Sequence, residues 1–178
     1  MNEARDQKWD ILRKTIYKIS DQLDPDRIGT GGIAELRRLA FTSQSSTFWH
    51  VYFTLVPEEL RTQNQRTSNR LDEGWKTIIQ AMAELAPRPH NSEMKLGQAL
   101  VASEYSEHRF IRFVRSEGNE LRREVRIAAH WIASNGKKAD CIEVARLILV
   151  DAGMRGIGTR DWIVNDLARK YFGQTTTH

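Results

Sequence analysis

Residues 106–134 read SEHRFIRFVRSEGNELRREVRIAAHWIAS, and this stretch decides the fold class. Ser106 is a residue type that accepts a hydrogen bond from the free N–H groups of a helix start. Glu107 in the first turn suits the positive end of the helix dipole. Phe110, Phe113 and Val114 then fall on one arc of that helix. Gly118 follows as a residue able to take the left-handed conformation that ends a helix. A second helix is predicted from about Asn119 to Ser134, with Leu121, Val125, Ala128 and Ile132 on one narrow buried stripe.

The same period extends in both directions. Trp9, Leu12, Ile16, Ile19 and Leu23 give a first helix over about 4–23, which Asp24-Pro25-Asp26 ends. Gly29-Thr30-Gly31-Gly32 reads as a flexible turn. A short helix follows it, with Ile33, Leu36, Leu39 and Ala40 inward and Arg37 and Arg38 projecting away. Thr47 is the expected N-cap of an aromatic helix holding Phe48, Trp49, Tyr52 and Phe53. Such a cluster at helical spacing reads as core before it reads as a stacking surface. Val56-Pro57 breaks that helix. Residues 61–70 read as an exposed loop or a frayed helix start. Leu71, Trp75, Ile78, Ile79, Met82 and Leu85 mark a strong helix over 71–85. Further helices are expected near 96–103, over 140–150, and from about Thr159 or Asp161 to Gly173. No strand-like alternation is sustained. The fold class is all-α, arranged as two small packed helical bundles, 1–90 and 91–178. Pro87-Arg88-Pro89-His90-Asn91-Ser92 is the hinge between them.

The formal charge of +4 conceals an asymmetry. The segment 109–138 holds Arg109, Arg112, Arg115, Arg122, Arg123, Arg126, Lys137 and Lys138 against Glu117, Glu120 and Glu124. It therefore carries +5 and leaves −1 for the other 148 residues. A basic patch in an otherwise neutral chain is an electrostatic footprint for a polyanion, and the planar fork of arginine suits phosphate. The plain alternative is a solvated surface with ion pairs inside the helices. Helical phasing puts Arg109, Arg112 and Arg115 on one outward arc and Arg122, Arg123 and Arg126 roughly opposite the apolar stripe of the next helix. With adjacent helices about 8–10 Å apart, the six guanidiniums are expected to form one continuous strip. No base-reading motif accompanies them, so phosphate contacts blind to sequence are expected.

Nothing in the sequence announces catalysis. His50, His90, His108, His130 and His178 are never paired at metal-ligand spacing, and the lone Cys141 cannot supply a cysteine zinc site. Gly156-Ile157-Gly158-Thr159 lacks the lysine and spacing of a phosphate loop and reads as a turn with an N-cap. Cys141 reads as structural, and a single cysteine fits a reducing cytoplasm. No metal and no cofactor are expected. No apolar run reaches 18 residues, and residues 1–10 are charged, so neither a membrane span nor a signal peptide is expected.

Several short motifs occur in an order that resembles the CasB family, the small subunit of the type I-E CRISPR surveillance complex Cascade. They are Gly32-Ile33-Ala34-Glu35-Leu36-Arg37-Arg38, Phe48-Trp49, Leu96-Gly97-Gln98-Ala99-Leu100, and Ser106-Glu107-His108-Arg109-Phe110 running into Val114-Arg115. Leu121-Arg122-Arg123 and the aromatic segment from Trp162 to Tyr171 complete the set. The resemblance covers about 28–172 and is weakest over 61–70 and 152–158. It implies an all-helical, non-catalytic, cytoplasmic subunit, with a second copy of itself beside it. It implies contacts with the large and backbone subunits, the guide-RNA backbone, and both the target and displaced DNA strands, which stabilise the R-loop in antiviral defence. By motif position Arg38, Arg109, Arg122 and Arg123 are the first candidates for nucleic-acid contact, and Arg37, Arg112, Arg115 and Arg126 the next. The alternative is a purely structural module whose arginines pair with acidic partner subunits.

Overall fold

A computed structural model describes residues 2–41, 45–61 and 65–175, and the described residues are all-α. The helices are α1 (Asn2–Gln22), α2 (Pro25–Arg37), α3 (Ser46–Leu55), α4 (Gln65–Glu84), α5 (Leu96–Ala102), α6 (Glu107–Arg115), α7 (Gly118–Ser134), α8 (Cys141–Asp151) and α9 (Arg160–Thr175). Short 3-10 turns lie at Leu39–Phe41 and Glu58–Leu60. The only β-type pairing among these residues is an isolated bridge between His90 and Ala139. No helix among them is long and apolar enough to cross a membrane.

The core is built around α4. From Gly74 to Ala83 every residue of α4 except Lys76 is buried. A helix that is apolar nearly all round must be covered on nearly all sides. Here α7 and α8 cover it on one side and α2 and α3 on the other, while α1 packs on α8 and α5 on α9. Trp75 has no exposed surface, and its indole N–H donates to the Leu60 carbonyl at 2.8 Å. One hydrophobic cluster runs from Leu12 on α1 to Tyr171 on α9. Residues 1–90 and 91–178 both contribute to it. The 87–92 segment is hydrogen-bonded to elements on either side. The His90 N–H donates to Ser20 Oγ of α1, and the Asn91 N–H to the Ala139 carbonyl.

Local chemistry accounts for the boundaries that periodicity misplaces. The Asp24 carboxylate accepts the Asp26 N–H at 3.0 Å, and Pro25 opens the helix. The stretch expected only to end α1 therefore starts α2, and the supposed glycine turn is a kink inside it at Gly29, φ 76°. Ser45, not Thr47, caps α3: its Oγ accepts the Phe48 N–H at 3.0 Å. Thr47 instead donates its hydroxyl to Glu35 at 2.6 Å, as does Ser45. These hydroxyl donors, Ser45 first, hold the Glu35 carboxyl below its ordinary range and tie α2 to α3. Ala40 is exposed in its 3-10 turn rather than buried. Of the segment read as a loop, 62–64 lie outside the described residues and 65–70 are already helical. Ser116 closes α6, and Gly118 opens α7 at φ 55°.

Two close contacts fix the packing. A Cβ on Gly97 of α5 would lie 2.7 Å from the Leu167 carbonyl oxygen and 2.8 Å from the Tyr171 nitrogen of α9, so only glycine allows these backbones to approach. At the other contact, the His90 side chain is buried at the start of α8. Its Nδ1 accepts the Cys141 N–H at 3.2 Å, which requires the neutral ring, and its Nε2 has no hydrogen-bond partner. Tyr17 meets the ring edge-on, the Asp140 carboxylate lies 3.6 Å from Nδ1, and Lys95 pairs with Asp140. Burial is the main cause lowering the His90 pKa; Asp140 opposes it and Lys95 adds to it.

Two outcomes follow from these contacts. Gly97→Ala overpacks the α5–α9 crossing and lowers stability by about 1–3 kcal/mol, read as a lower urea midpoint at unchanged m. An unchanged midpoint would show that the crossing is not tight. His90 is neutral when folded, so its contribution is intact above about pH 6.5 and falls as pH drops toward its lowered native pKa. Urea melts between pH 7 and 5.5 should show this loss, and His90→Gln should flatten it.

Candidate nucleic-acid interface

The six arginines of α6 and α7 do not form one strip. Arg112 of α6 turns toward α7, where its Nε lies 3.0 Å from Glu124 Oε1 and its Nη2 donates to Oε2 at 3.1 Å. The first contact is an ion pair without hydrogen-bond alignment, since Oε1 has no hydrogen-bond partner. Glu124 is 1% exposed and Arg112 47%, so the pair sits at the edge of the core. Hydrogen bonding to Glu124, then its charge, raises the Arg112 pKa. One turn back, the Arg109 guanidinium lies 4.0 Å over the Trp131 ring, a cation–π contact. Trp131 in turn donates its indole N–H to the Ser103 carbonyl at 2.6 Å. Arg115 remains exposed. Periodicity separated arginines from apolar stripes correctly but gave no sign that Glu124 is buried and draws Arg112 inward.

The α7 arginines occupy the other flank. At about 100° per residue, Arg122 and Arg126 each lie about 160° around the helix from Glu124. Arg122 hydrogen-bonds to Asn119 one turn earlier. Arg123 is 65% exposed, with Glu120 3.4 Å away. Arg126 is half-buried. Burial first, then the charges of Arg122 and Arg123, lower its pKa, and only Glu73 of α4 opposes them. The three arginines thus act on one another's charge, with Glu120 beside Arg123 and Glu73 opposing at Arg126.

The α4 edge joins this flank to the α2 arginines. Arg37 donates Nε–H to the Ala83 carbonyl at 2.9 Å, and Gln80 donates to the Arg37 carbonyl at 2.7 Å. His130 of α7 lies 3.4 Å from Glu84. Ala83 and Glu73 are about 15 Å apart at 1.5 Å rise per residue, so Arg37 and Arg126 meet the same helix two to three turns apart. Arg38, at the α2 C-cap, is exposed. Arg37 is therefore bonded to α4 itself, α7 packs on the same helix, and Arg109 and Arg112 belong to the α6–α7 joint.

Sequence reasoning missed three neighbours of this face. Lys76, the one incompletely buried residue of central α4, pairs with Glu73 at 2.8 Å and lies 5.7 Å from the Trp49 ring centroid. Phe53, expected in the core, is 58% exposed and stacks on Trp49 at 5.6 Å and 22°. Arg61 lies 5.2 Å from the Phe53 centroid. A signal for Phe53 was present: Phe48, Val51 and Tyr52 define the buried stripe, and Phe53 falls about 100° beyond Tyr52.

No protein-family model, curated protein or solved structure matches this chain. The remaining candidate sites have structural roles. The 156–159 loop is held by Arg146, whose Nε donates to the Ile157 carbonyl and whose guanidinium lies between the Trp9 and Trp162 rings at 4.8 and 4.3 Å. Burial pushes the Cys141 thiol up, which makes it a poor nucleophile. Among the described residues no three of histidine, cysteine, aspartate or glutamate are placed to hold a metal ion.

The two arginine groups separate in a thermal melt. Arg112→Ala leaves Glu124 buried without its cation and lowers Tm measurably. Arg123→Ala stays within about 0.5 kcal/mol of the parent, as an exposed substitution does. Equal shifts for both variants would contradict this division.

Proposed function

We propose that this protein is a non-catalytic small subunit of an RNA-guided CRISPR surveillance complex of the type I-E Cascade kind. It holds nucleic-acid backbone and stabilises the R-loop. The observation that carries the reading is the Arg122–Arg123–Arg126 group on α7: Arg123 is 65% exposed, Arg122 bonds to the neutral Asn119 amide, and burial first, then the charges of Arg122 and Arg123, lower the Arg126 pKa against the opposing Glu73. Such a site gains from an anion, and a phosphate backbone supplies anions that take charge-assisted hydrogen bonds from arginine. The resemblance of the ordered motifs to those of the CasB family suggests the machine in which this chemistry is used. Forming an RNA–DNA heteroduplex while displacing a DNA strand is nearly balanced in free energy, so a few backbone contacts decide how far the loop stays open. The partners of this reading are the target and displaced DNA strands, the guide-RNA backbone, the large and backbone subunits, and a second copy of the chain.

A second reading has its own support. The pairing of Arg112 with Glu124 demonstrates that arginines of this segment take carboxylates readily. A structural module whose α7 arginines bind acidic patches on partner subunits would use the same chemistry.

Mobility shifts over a salt series separate the two. Three phosphate contacts predict a log–log slope of about −3 on duplex DNA and about −2 on a single strand. The combined Arg122→Glu and Arg123→Glu substitutions should abolish binding by the free protein and weaken target binding by the assembled complex. Absence of binding at low salt, with complex assembly lost in the same variant, would favour the structural module.

A further inference from the structure

The aromatic pair on α3 is joined by contacts to Lys76 and Glu73 of α4, the helix on which α7 packs. The charge of Glu73 acts on Arg126. Glu73 pairs with Lys76 at 2.8 Å. Lys76 Nζ lies 5.7 Å from the Trp49 centroid, and Trp49 stacks on Phe53 at 5.6 Å. The Arg61 guanidinium carbon lies 5.2 Å from the Phe53 centroid. From the α4 edge to the open end of α3 the order is therefore Glu73, Lys76, Trp49, Phe53 and Arg61, two stacked rings between two cations.

Each part of this series has a property that packing alone does not need. Phe53 is more than half exposed on a helix that already buries Phe48, Val51 and Tyr52. The Arg61 Nε is buried without a hydrogen-bond partner among the described residues, and the guanidinium carbon lies beside the Tyr52 and Phe53 rings. The nearby acids on α4 are engaged: Asp72 accepts the Tyr52 hydroxyl at 2.6 Å, and Glu73 holds Lys76. Glu58 and Glu59, exposed on the 3-10 turn before Arg61, limit the cationic run at its far end.

Rows of cations serve any phosphate backbone, but exposed rings and guanidinium planes add a feature that a duplex cannot use. In a duplex the bases are stacked on each other; in a single strand they are free to stack on rings or on arginine planes. From this charge and ring pattern we infer that the surface running from Arg122 and Arg126 over Lys76 to Trp49, Phe53 and Arg61 is a track for single-stranded nucleic acid. Phosphates lie on its arginine end and a base stacks at its Phe53–Arg61 end. The inference rests on the backbone-binding reading above and adds the residues on which an unpaired base stacks.

Fluorescence anisotropy on the full-length protein tests this with two labelled 12-mers, oligo-dT and an abasic strand with the same phosphates. Oligo-dT should bind about tenfold or more tightly than the abasic strand, the worth of a base–aromatic stack. Phe53→Ala should remove that difference while leaving abasic binding intact, and Phe53→Tyr should restore it. If both strands bind equally and Phe53→Ala changes neither, the stacking inference fails while backbone binding stands, and the patch belongs to a protein neighbour. If neither strand binds the parent protein at low salt, the backbone-binding reading itself fails, and this inference with it.

Discussion

From Gly74 to Ala83, α4 exposes only part of Lys76 to solvent, and the other elements are arranged by the need to cover the rest. Trp75, Ile78, Ile79 and Met82 need apolar neighbours on several sides, and α2, α3, α7 and α8 supply them. That requirement has a second consequence. The helices that bury α4 bring their own outer residues to its remaining edge, so Arg37 of α2, Arg126 of α7 and Trp49 of α3 all meet α4. A cationic surface drawn from distant parts of the sequence is thus a product of core packing.

Glu124 then sorts the arginines. A carboxylate buried at the α6–α7 joint requires a cation, and Arg112 provides it. Arg109 follows onto Trp131 one turn away. Both are spent in fixing α6 to α7 and are poor candidates for a ligand. The α7 group has no comparable internal partner: Arg122 bonds to a neutral amide, Arg123 lies near an exposed glutamate, and Arg126 is crowded by both. Residual charge separates the α7 arginines from the two held at the α6–α7 joint more clearly than arginine count or helical phase.

The all-helical class was legible because the apolar spacing is strong, as in Leu121, Val125, Ala128 and Ile132, all of which are buried. The α7 stripe and its outward arginines were legible for the same reason. What periodicity could not reach were effects that depend on a partner far away in the chain. Glu35 engages Ser45 and Thr47, so the α3 cap moved to Ser45. Asp24 is a local exception: its carboxylate caps Asp26 two residues on, so one Asp-Pro-Asp stretch both ends α1 and starts α2. Lys76 belongs to a helix whose period marks it only as polar, and its place beside Trp49 depends on how α3 crosses α4. Phe53 was hidden by residue type, since an aromatic beside other aromatics reads as core.

The most direct test follows the arginine side-chain Nε–Hε signals by NMR as a short single-stranded oligonucleotide is added. The account predicts that Arg122, Arg123 and Arg126 shift in a salt-sensitive manner while Arg112, held on Glu124, does not. Shifts centred on Arg109 and Arg112, with the α7 signals unmoved, would contradict it.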